Sequence, residues 1–229
     1  MKLIDNLQVY DLAESIAASG YPMRTETNKE LEDIRKAIKK GTFGEDEKTK
    51  SIFKRACALG NSQGGHDQFL SGILVAFDLS FTNKAWTEAE RYRFLTFVSS
   101  QSTMHRITKF NLNTQYNEYV DKRIVKIMKS KVKEYNLLVD TYESVKSTAT
   151  KEYLDELNNR LTHLYLEILY SNPSGFILTA RITTNYRCIK NIYGQRYNHR
   201  LPEWREFCEY MKENLPYFKE FCLKAYDKN

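Results

Sequence analysis

The run Ile73 to Phe81, Ile-Leu-Val-Ala-Phe-Asp-Leu-Ser-Phe, places Ile73, Val75, Phe77, Leu79 and Phe81 at a period of two. A helix would scatter those five side chains around its axis, whereas a strand lines them along one face. The segment therefore predicts a strand with a buried face, and a strand this apolar needs further elements to cover it.

Segments of helical period surround it. Leu31, Ile34 and Ile38 predict a helix over Glu30 to Lys40, and Ile52, Phe53 and Cys57 predict another over Asp46 to Leu59, with Gly41 and Gly44 between them. Ahead of these, Leu7, Val9 and Tyr10 suit a short strand, Asp11 a cap for a short helix ending at Gly20, and Tyr21-Pro22 a turn. A glycine-containing loop from Gly60 to Gly65 leads into the central strand. After it, Thr87 followed by Glu90 has the spacing of a capping box, which predicts a helix through Tyr92, Phe94, Leu95 and Val98 toward Gln101.

From Tyr119 to about Tyr142 and from Thr150 to Tyr170 the pattern is again helical, with Leu154, Leu157, Leu161, Leu164 and Ile168 in one packing stripe, so an antiparallel helical pair is expected. Asn172 to Gly175 stops the second helix and Phe176 to Ile182 returns as a strand. Helices follow from Thr183 to about Tyr197, from Trp204 to Asn214 after a break at Leu201-Pro202, and from Pro216. With 229 residues, no internal repeat and no low-complexity linker, the expectation is a single α+β domain over 1–229, with a central antiparallel sheet, flanking helices and the long helical pair (about 119–170) as an insertion within it.

The 35 Lys and Arg against 29 Asp and Glu leave +6 at neutral pH, which favours anionic ligands such as nucleotides or folates. Much of the excess lies in Lys122, Arg123, Lys126, Lys129, Lys131 and Lys133, interleaved with Ile124, Ile127, Met128 and Val132. A helix with a solvated basic face explains this more simply than nucleic-acid binding, although a basic nucleic-acid-binding module is the alternative it leaves open. No apolar run approaches the ~20 residues of a membrane span. The start Met-Lys-Leu-Ile-Asp-Asn lacks the core of a signal peptide, so a cytoplasmic protein is expected. Cys57, Cys188, Cys208 and Cys222 have no CxxC spacing and read as reduced, buried thiols, with no metal site expected.

Two stretches have the composition of a site. In Gln101 to Tyr116, His105 and Arg106 stand side by side among hydroxyls and amides. In an extended segment they would serve two parts of one anionic ligand; on a helix they would diverge by about 100° and read as a surface pair at its C-terminal end. The second stretch, Asn185 to Arg196, carries Asn185, Arg187, Asn191 and Arg196, at offsets that do not share one helical face. Amides can donate and accept at a heterocycle edge and Arg196 offers a planar fork, yet polar helix surface with an arginine answering the dipole is the plainer reading.

Together the two stretches resemble the flavin-dependent thymidylate synthase family. Met104-His105-Arg106, followed after seven residues by Thr114, is similar to its signature Arg-His-Arg-x7-Ser. The second stretch keeps the family's distal spacing Asn-x-Arg-x3-Asn-x4-Arg ahead of a tryptophan, here Trp204. The resemblance implies a thymidylate-synthase-complementing-protein fold assembled as a homotetramer, with FAD between subunits. It also implies reductive methylation of dUMP or a related pyrimidine nucleotide using methylenetetrahydrofolate and NADPH. It further implies FAD contacts from His105, Arg106, Asn185 and Asn191, with His66 and Arg200 near further FAD positions, although His66 reads equally as a loop histidine without a role. Gln101 and Thr114 are implied to hold the nucleotide, and Arg196 to grip the pyrimidine and stabilise charge developing on the ring. Three family arginines are replaced, by Met104, Tyr116 and Leu169. Lys109, Arg181 or Arg200 would have to compensate, or else the chain is a repurposed, inactive version of the fold.

Overall fold

A computed structural model describes residues 2–27, 29–62, 65–224 and 226. In chain order the elements are β1 (Ile4–Tyr10), α1 (Leu12–Ala18), α2 (Leu31–Lys40), α3 (Lys50–Gly60), β2 (Leu74–Thr82), α4 (Asn83–Ala89), β3 (Thr96–Ser100), α5 (Thr103–Arg106), α6 (Lys122–Val145), α7 (Lys151–Ser171), β4 (Ile177–Asn185), α8 (Tyr186–Arg196), α9 (Pro202–Asn214) and α10 (Phe218–Cys222). The strands form one four-stranded antiparallel sheet of order β1-β2-β4-β3. Ile4 of β1 lies opposite Leu79 and Tyr10 opposite Leu74, with the register slipping between Asp5 and Gln8. Within the loop expected from Gly60 to Gly65, Gln63 and Gly64 lie outside the described residues.

The chain resolves into two compact units, one from Ser80–Glu88 and Ser99–Ala180, the other from Lys2–Leu79, Ala89–Val98 and Arg181–Asn229. In the second unit Ile73, Val75, Phe77 and Leu79 are fully buried, as their alternation requires, and Ala76 on the opposite face is buried too. Burial on both faces explains why β2 reads as an almost unbroken apolar run. Phe77 packs against Phe207 with ring centres 6.0 Å apart. Helix α2 packs on α1, and α3 on α10, where Gly60 comes so close to the Phe221 carbonyl that a Cβ has no room.

In the first unit α6 and α7 form the expected pair. Their seam closes on a core of Ile107, Leu112, Met128, Val132, Leu164, Ile168 and Phe176. The basic residues of α6 face solvent, apart from the half-buried Lys131. Several are matched locally: Arg123 to Asp121 at 2.6 Å, Lys129 to Asn113 at 2.6 Å and Lys131 to Glu167 at 2.5 Å.

Two sequence expectations fail. The helix predicted from Thr87 toward Gln101 is absent. Instead α4 starts at Asn83, where the Thr82 hydroxyl accepts the Ala85 N–H at 3.2 Å, and ends at Ala89, and Thr96–Ser100 is strand β3. Thr87 spends its hydroxyl on the Lys84 carbonyl at 2.8 Å, a bond within the helix and not a cap. The Thr-Phe-Val run after Leu95 suits a pleated edge, so the stretch from Gln101 to Tyr116 begins where a strand ends. The last strand is also longer than predicted. The β-branched Ile182, Thr183 and Thr184 carry β4 on to Asn185, which caps α8 by accepting the Cys188 N–H at 2.9 Å. Asp11 does precede α1, but in a left-handed conformation, and its carboxylate takes the Ser15 hydroxyl at 2.9 Å instead of a backbone N–H. All four cysteines are free thiols in buried positions.

Candidate functional site

Helix α8 buries Tyr186, Ile189, Ile192 and Tyr193, which fixes the direction of its other face. Arg187, Asn191 and Gln195 recur at four-residue spacing on that outward face, and the Gln195 amide donates to Asn191 at 3.3 Å. Asn185 joins them from the cap position and Arg196 from the last turn. Their offsets do not share a helical stripe, but the cleft they line, of about 1080 Å3, extends from the cap of the helix to its last residue. All four residues of the distal motif therefore meet one cleft in the second unit.

The floor of that cleft is an ion-pair cluster. Asp67, 8% exposed, faces Lys190 Nζ at 2.7 Å and Arg187 Nε at 3.1 Å. Lys190 also donates to the Gly60 carbonyl at 2.7 Å, and Arg187 Nη1 to Gln68 Oε1 at 2.7 Å. The arginine of the Asn-x-Arg element thus holds the turn that leads into β2, and a buried carboxylate between two cations meets the condition for keeping such a charge inside a protein. His66 precedes Asp67 in the chain, but it is exposed and does not line the cleft.

At the other end Arg196 is fixed on several sides. Its Nε donates to Tyr92 Oη at 2.8 Å, its Nη1 lies 2.7 Å from His199 Nε2, and its guanidinium carbon sits 5.6 Å from the Tyr92 ring centre and 5.1 Å from that of Trp204. Tyr92 in turn donates to Gln195 at 2.8 Å. An arginine stacked on two aromatic faces is a preorganised fork whose rotamers need not be frozen when a ligand arrives. The turn between α4 and β3 that carries Tyr92 also brings Arg91, Arg93 and Phe94 to the cleft. Arg200 is exposed and stays outside the lining; its carbonyl accepts from Arg205 at 3.0 Å.

In the first unit Gln101, Ser102, Arg106, Lys109 and Phe110 line a smaller pocket of about 260 Å3. Gln101 continues the β3 edge: its N–H donates to the Thr179 carbonyl, and its side-chain oxygen accepts the Thr179 N–H, both at 3.0 Å. His105 and Arg106 sit on the single turn α5, so they diverge, and only Arg106 of the two reaches the pocket. Thr114 closes a turn by donating its N–H and its hydroxyl to the Asn111 carbonyl at 3.1 and 3.3 Å.

The three positions where the resemblance expects an arginine, Met104, Tyr116 and Leu169, are used differently. Met104 is 61% exposed, while its carbonyl accepts the Tyr165 hydroxyl at 2.8 Å. Tyr116 and Leu169 pack against the core of the unit. The Tyr116 ring meets Phe176 edge-on at 5.3 Å and its hydroxyl donates to Asn172 at 2.9 Å, and burial pushes its phenol up to about 12. Of the cations that were to compensate, Arg181 is committed to the Asn6 carbonyl at 3.0 Å and to Asp78 at 3.3 Å.

Asp67, Arg91, Tyr92 and Arg93 are among the lining residues that sequence reasoning missed. No spacing rule singles them out: Glu-Arg-Tyr-Arg-Phe scans as helix, and the partners of Asp67 lie more than a hundred residues away in the chain. Among the described residues no group of three or more His, Cys, Asp or Glu side chains is placed to hold a metal. No described helix is long and apolar enough to cross a membrane.

An antiparallel sheet with flanking helices, a long helical pair and a basic cleft at one helix define an α+β protein suited to an extended anionic ligand. Its fold is one already seen. A crystal structure of the flavin-dependent thymidylate synthase ThyX from Helicobacter pylori, complexed with FAD and dUMP, superposes with a TM-score of 0.57 at 11% identity, over 98% of this chain and 99% of that one. A second structure, Thymidylate Synthase X from the same organism with FAD and dUMP, gives 0.56 at 11% identity over 99% and 98%. The chain thus has the ThyX fold. It matches no family model and no curated protein sequence.

Proposed function

We propose that this chain is a flavin-dependent thymidylate synthase-like protein that binds FAD in the α8 cleft and acts on dUMP or a related pyrimidine nucleotide. One observation carries the reading. Asn185, Arg187, Asn191 and Arg196, which match the family's distal element in spacing, converge on a single cleft in a chain of the same fold. The cleft also fits the cofactor by chemistry. Among the described residues its lining holds five cations, Arg91, Arg93, Arg187, Lys190 and Arg196, and one carboxylate, Asp67. Its volume of about 1080 Å3 lies just above the roughly 300–1,000 Å3 of small-molecule sites, which leaves room for an extended dinucleotide.

In this reading Asn191 and the Asn185 amide hydrogen-bond polar ring edges, and Arg196 supplies a fixed cationic donor to a substrate carbonyl. Bound FAD supplies the hydride chemistry, with NADPH and methylenetetrahydrofolate as co-substrates, so none of the four cysteines has to act as a nucleophile. Burial pushes all four thiols up, Cys208 to about 12, which suits packing and not catalysis. Arg106 and Lys109 line the pocket of the first unit, where they and the Gln101 side chain would meet a nucleotide. The subunit arrangement expected from the family, a homotetramer, belongs to the same proposal.

Conversion of dUMP to thymidylate by purified protein tests the activity. Turnover that Arg196→Ala abolishes, with the circular dichroism spectrum kept, is the expected result; turnover unaffected by Arg196→Ala would refute the assigned role. A second reading is favoured by the core positions of Tyr116 and Leu169: a flavin- or nucleotide-binding protein of this fold that no longer methylates. Restored growth of a thymidine-requiring strain expressing this chain would exclude it.

A further inference from the structure

Four basic side chains of α6, Lys122, Lys126, Lys129 and Lys133, follow one another at offsets of four, three and four residues. At about 100° per residue they fall within about 30° of one direction and run for about 16 Å along the helix. All four are exposed. Lys129 reaches Asn113 at 2.6 Å, while among the described residues Lys122, Lys126 and Lys133 have no acidic partner. The stripe leads into a pocket of about 360 Å3 between α6 and the turn at 110–113, which Lys129 and Lys133 themselves line. Its other walls are of two kinds. Phe110, Val132 and Leu137 offer aromatic and aliphatic surface, and the Phe110 ring is held edge-on to Phe176 at 5.3 Å. Asn111, Asn113 and Asn136 offer amides, of which Asn111 accepts from the Asn113 side chain at 3.0 Å and keeps its own NH2 group unspent among the described residues. Asp140, which also lines the pocket, ends the basic run.

A row of cations beside a pocket walled by an aromatic ring and amides suits single-stranded nucleic acid. The lysines meet successive phosphates, and an unpaired base is free to leave the strand and enter the pocket. A membrane surface would instead need apolar side chains flanking the lysines. The exposed Ile124 and Ile127 lie about 170° and 130° around the axis from the middle of the stripe, so they do not supply that flank. We infer that this face of α6 binds single-stranded nucleic acid, with one base in the pocket. The inference stands apart from the proposed flavin chemistry, since no residue of the α8 cleft takes part in it.

The test follows the fluorescence anisotropy of labelled oligouridylate and oligothymidylate of about 12 nucleotides, with the full chain and with Lys122→Gln/Lys126→Gln/Lys133→Gln. The three lysines are exposed, so the variant keeps the fold, as a matching circular dichroism spectrum checks. Four phosphate contacts on a single strand give a log–log salt slope of about −2.8, so affinity should fall about 50-fold between about 50 and 200 mM salt. The variant, left with Lys129, should bind more weakly at the lower salt and lose only about 3-fold over the same range. An abasic strand of the same length, which keeps the charge and has no base for the pocket, should bind about 10-fold more weakly than either oligonucleotide. Preference for one of the two oligonucleotides supports the inference and shows whether a 2′-hydroxyl is read. No binding at the lower salt, equal binding by the full chain and the variant, or an abasic strand held as tightly as the oligonucleotides would each overturn it. So would lysine-dependent binding to phosphatidylglycerol vesicles by a protein that ignores both oligonucleotides, which would assign this face to a membrane.

Discussion

Removing the Lys190 ammonium leaves Asp67 with half of its compensation. The Asp67 carboxylate is 11% exposed and takes Lys190 at 2.7 Å and Arg187 at 3.1 Å, while Lys190 also satisfies the Gly60 carbonyl at 2.7 Å. Lys190→Met keeps a stem of similar length and deletes the charge and all its hydrogen bonds. Breaking a buried pair from one side costs about 3–5 kcal/mol when the remaining charge has no other partner. Arg187 stays within ion-pair distance, so the expected loss is smaller, about 2–3 kcal/mol. For a chain of this size each kcal/mol lowers the Tm by about 2–4 °C, which puts the variant roughly 5–10 °C below the parent. Thermal and urea unfolding followed by circular dichroism read this directly. Adding Asp67→Asn to Lys190→Met should recover about 1 kcal/mol, because no buried charge is then left underpaired. A loss below about 0.5 kcal/mol, typical of a surface substitution, would refute the reasoning and show that water already solvates Asp67.

The replaced arginines give a contrast. Met104→Arg should be nearly neutral for stability, since the side chain is 61% exposed, whereas Tyr116→Arg should cost about 2–4 kcal/mol through a charge placed against Phe176, and equal urea midpoints would contradict this. Gly60→Ala, ordinarily helix-stabilising, should instead destabilise by about 1–3 kcal/mol because its Cβ meets the Phe221 backbone; a raised Tm would show that α10 can move away. Burial raises the Tyr116 phenol from 10.0 to about 12, so the fold holds its proton where the unfolded chain loses it. The resulting stability is fully present below pH 10 and is lost as pH rises through about 12. Tyr116→Phe should flatten that part of the profile in unfolding midpoints measured between about pH 9 and 12, and an unchanged slope would speak against it.

What could be read from the sequence follows from which forces are local. The period of two in β2 and the leucine stripe of α7 are intrinsic to their segments, and both elements stand where their patterns put them. The capping-box spacing of Thr87 and Glu90 is equally local, but it lost to a start four residues earlier, at Asn83, and to the β-forming run of β3. The distal motif could be found because its residues lie within twelve positions of one another. Its convergence could not, since the helical-face argument counted against it until Asn185 proved to be the cap and Arg196 the last residue of α8. Asp67 depends on partners brought to it by tertiary folding, and Arg91 and Arg93 meet the cleft only through the fold, so no pattern within their own segments announces them. Tyr116 and Leu169 show the converse: losing two family arginines looked like a loss of binding groups, whereas in the fold the two side chains pack against the core.

The visible absorption spectrum of the purified protein after incubation with FAD and gel filtration tests the central claim most directly, because it assumes neither a substrate nor an activity. Flavin bands that co-elute with the protein, and that Asn191→Ala with Arg196→Ala diminishes, are the predicted result. A colourless protein after saturation with FAD would contradict the cofactor reading and leave a ThyX fold put to another use.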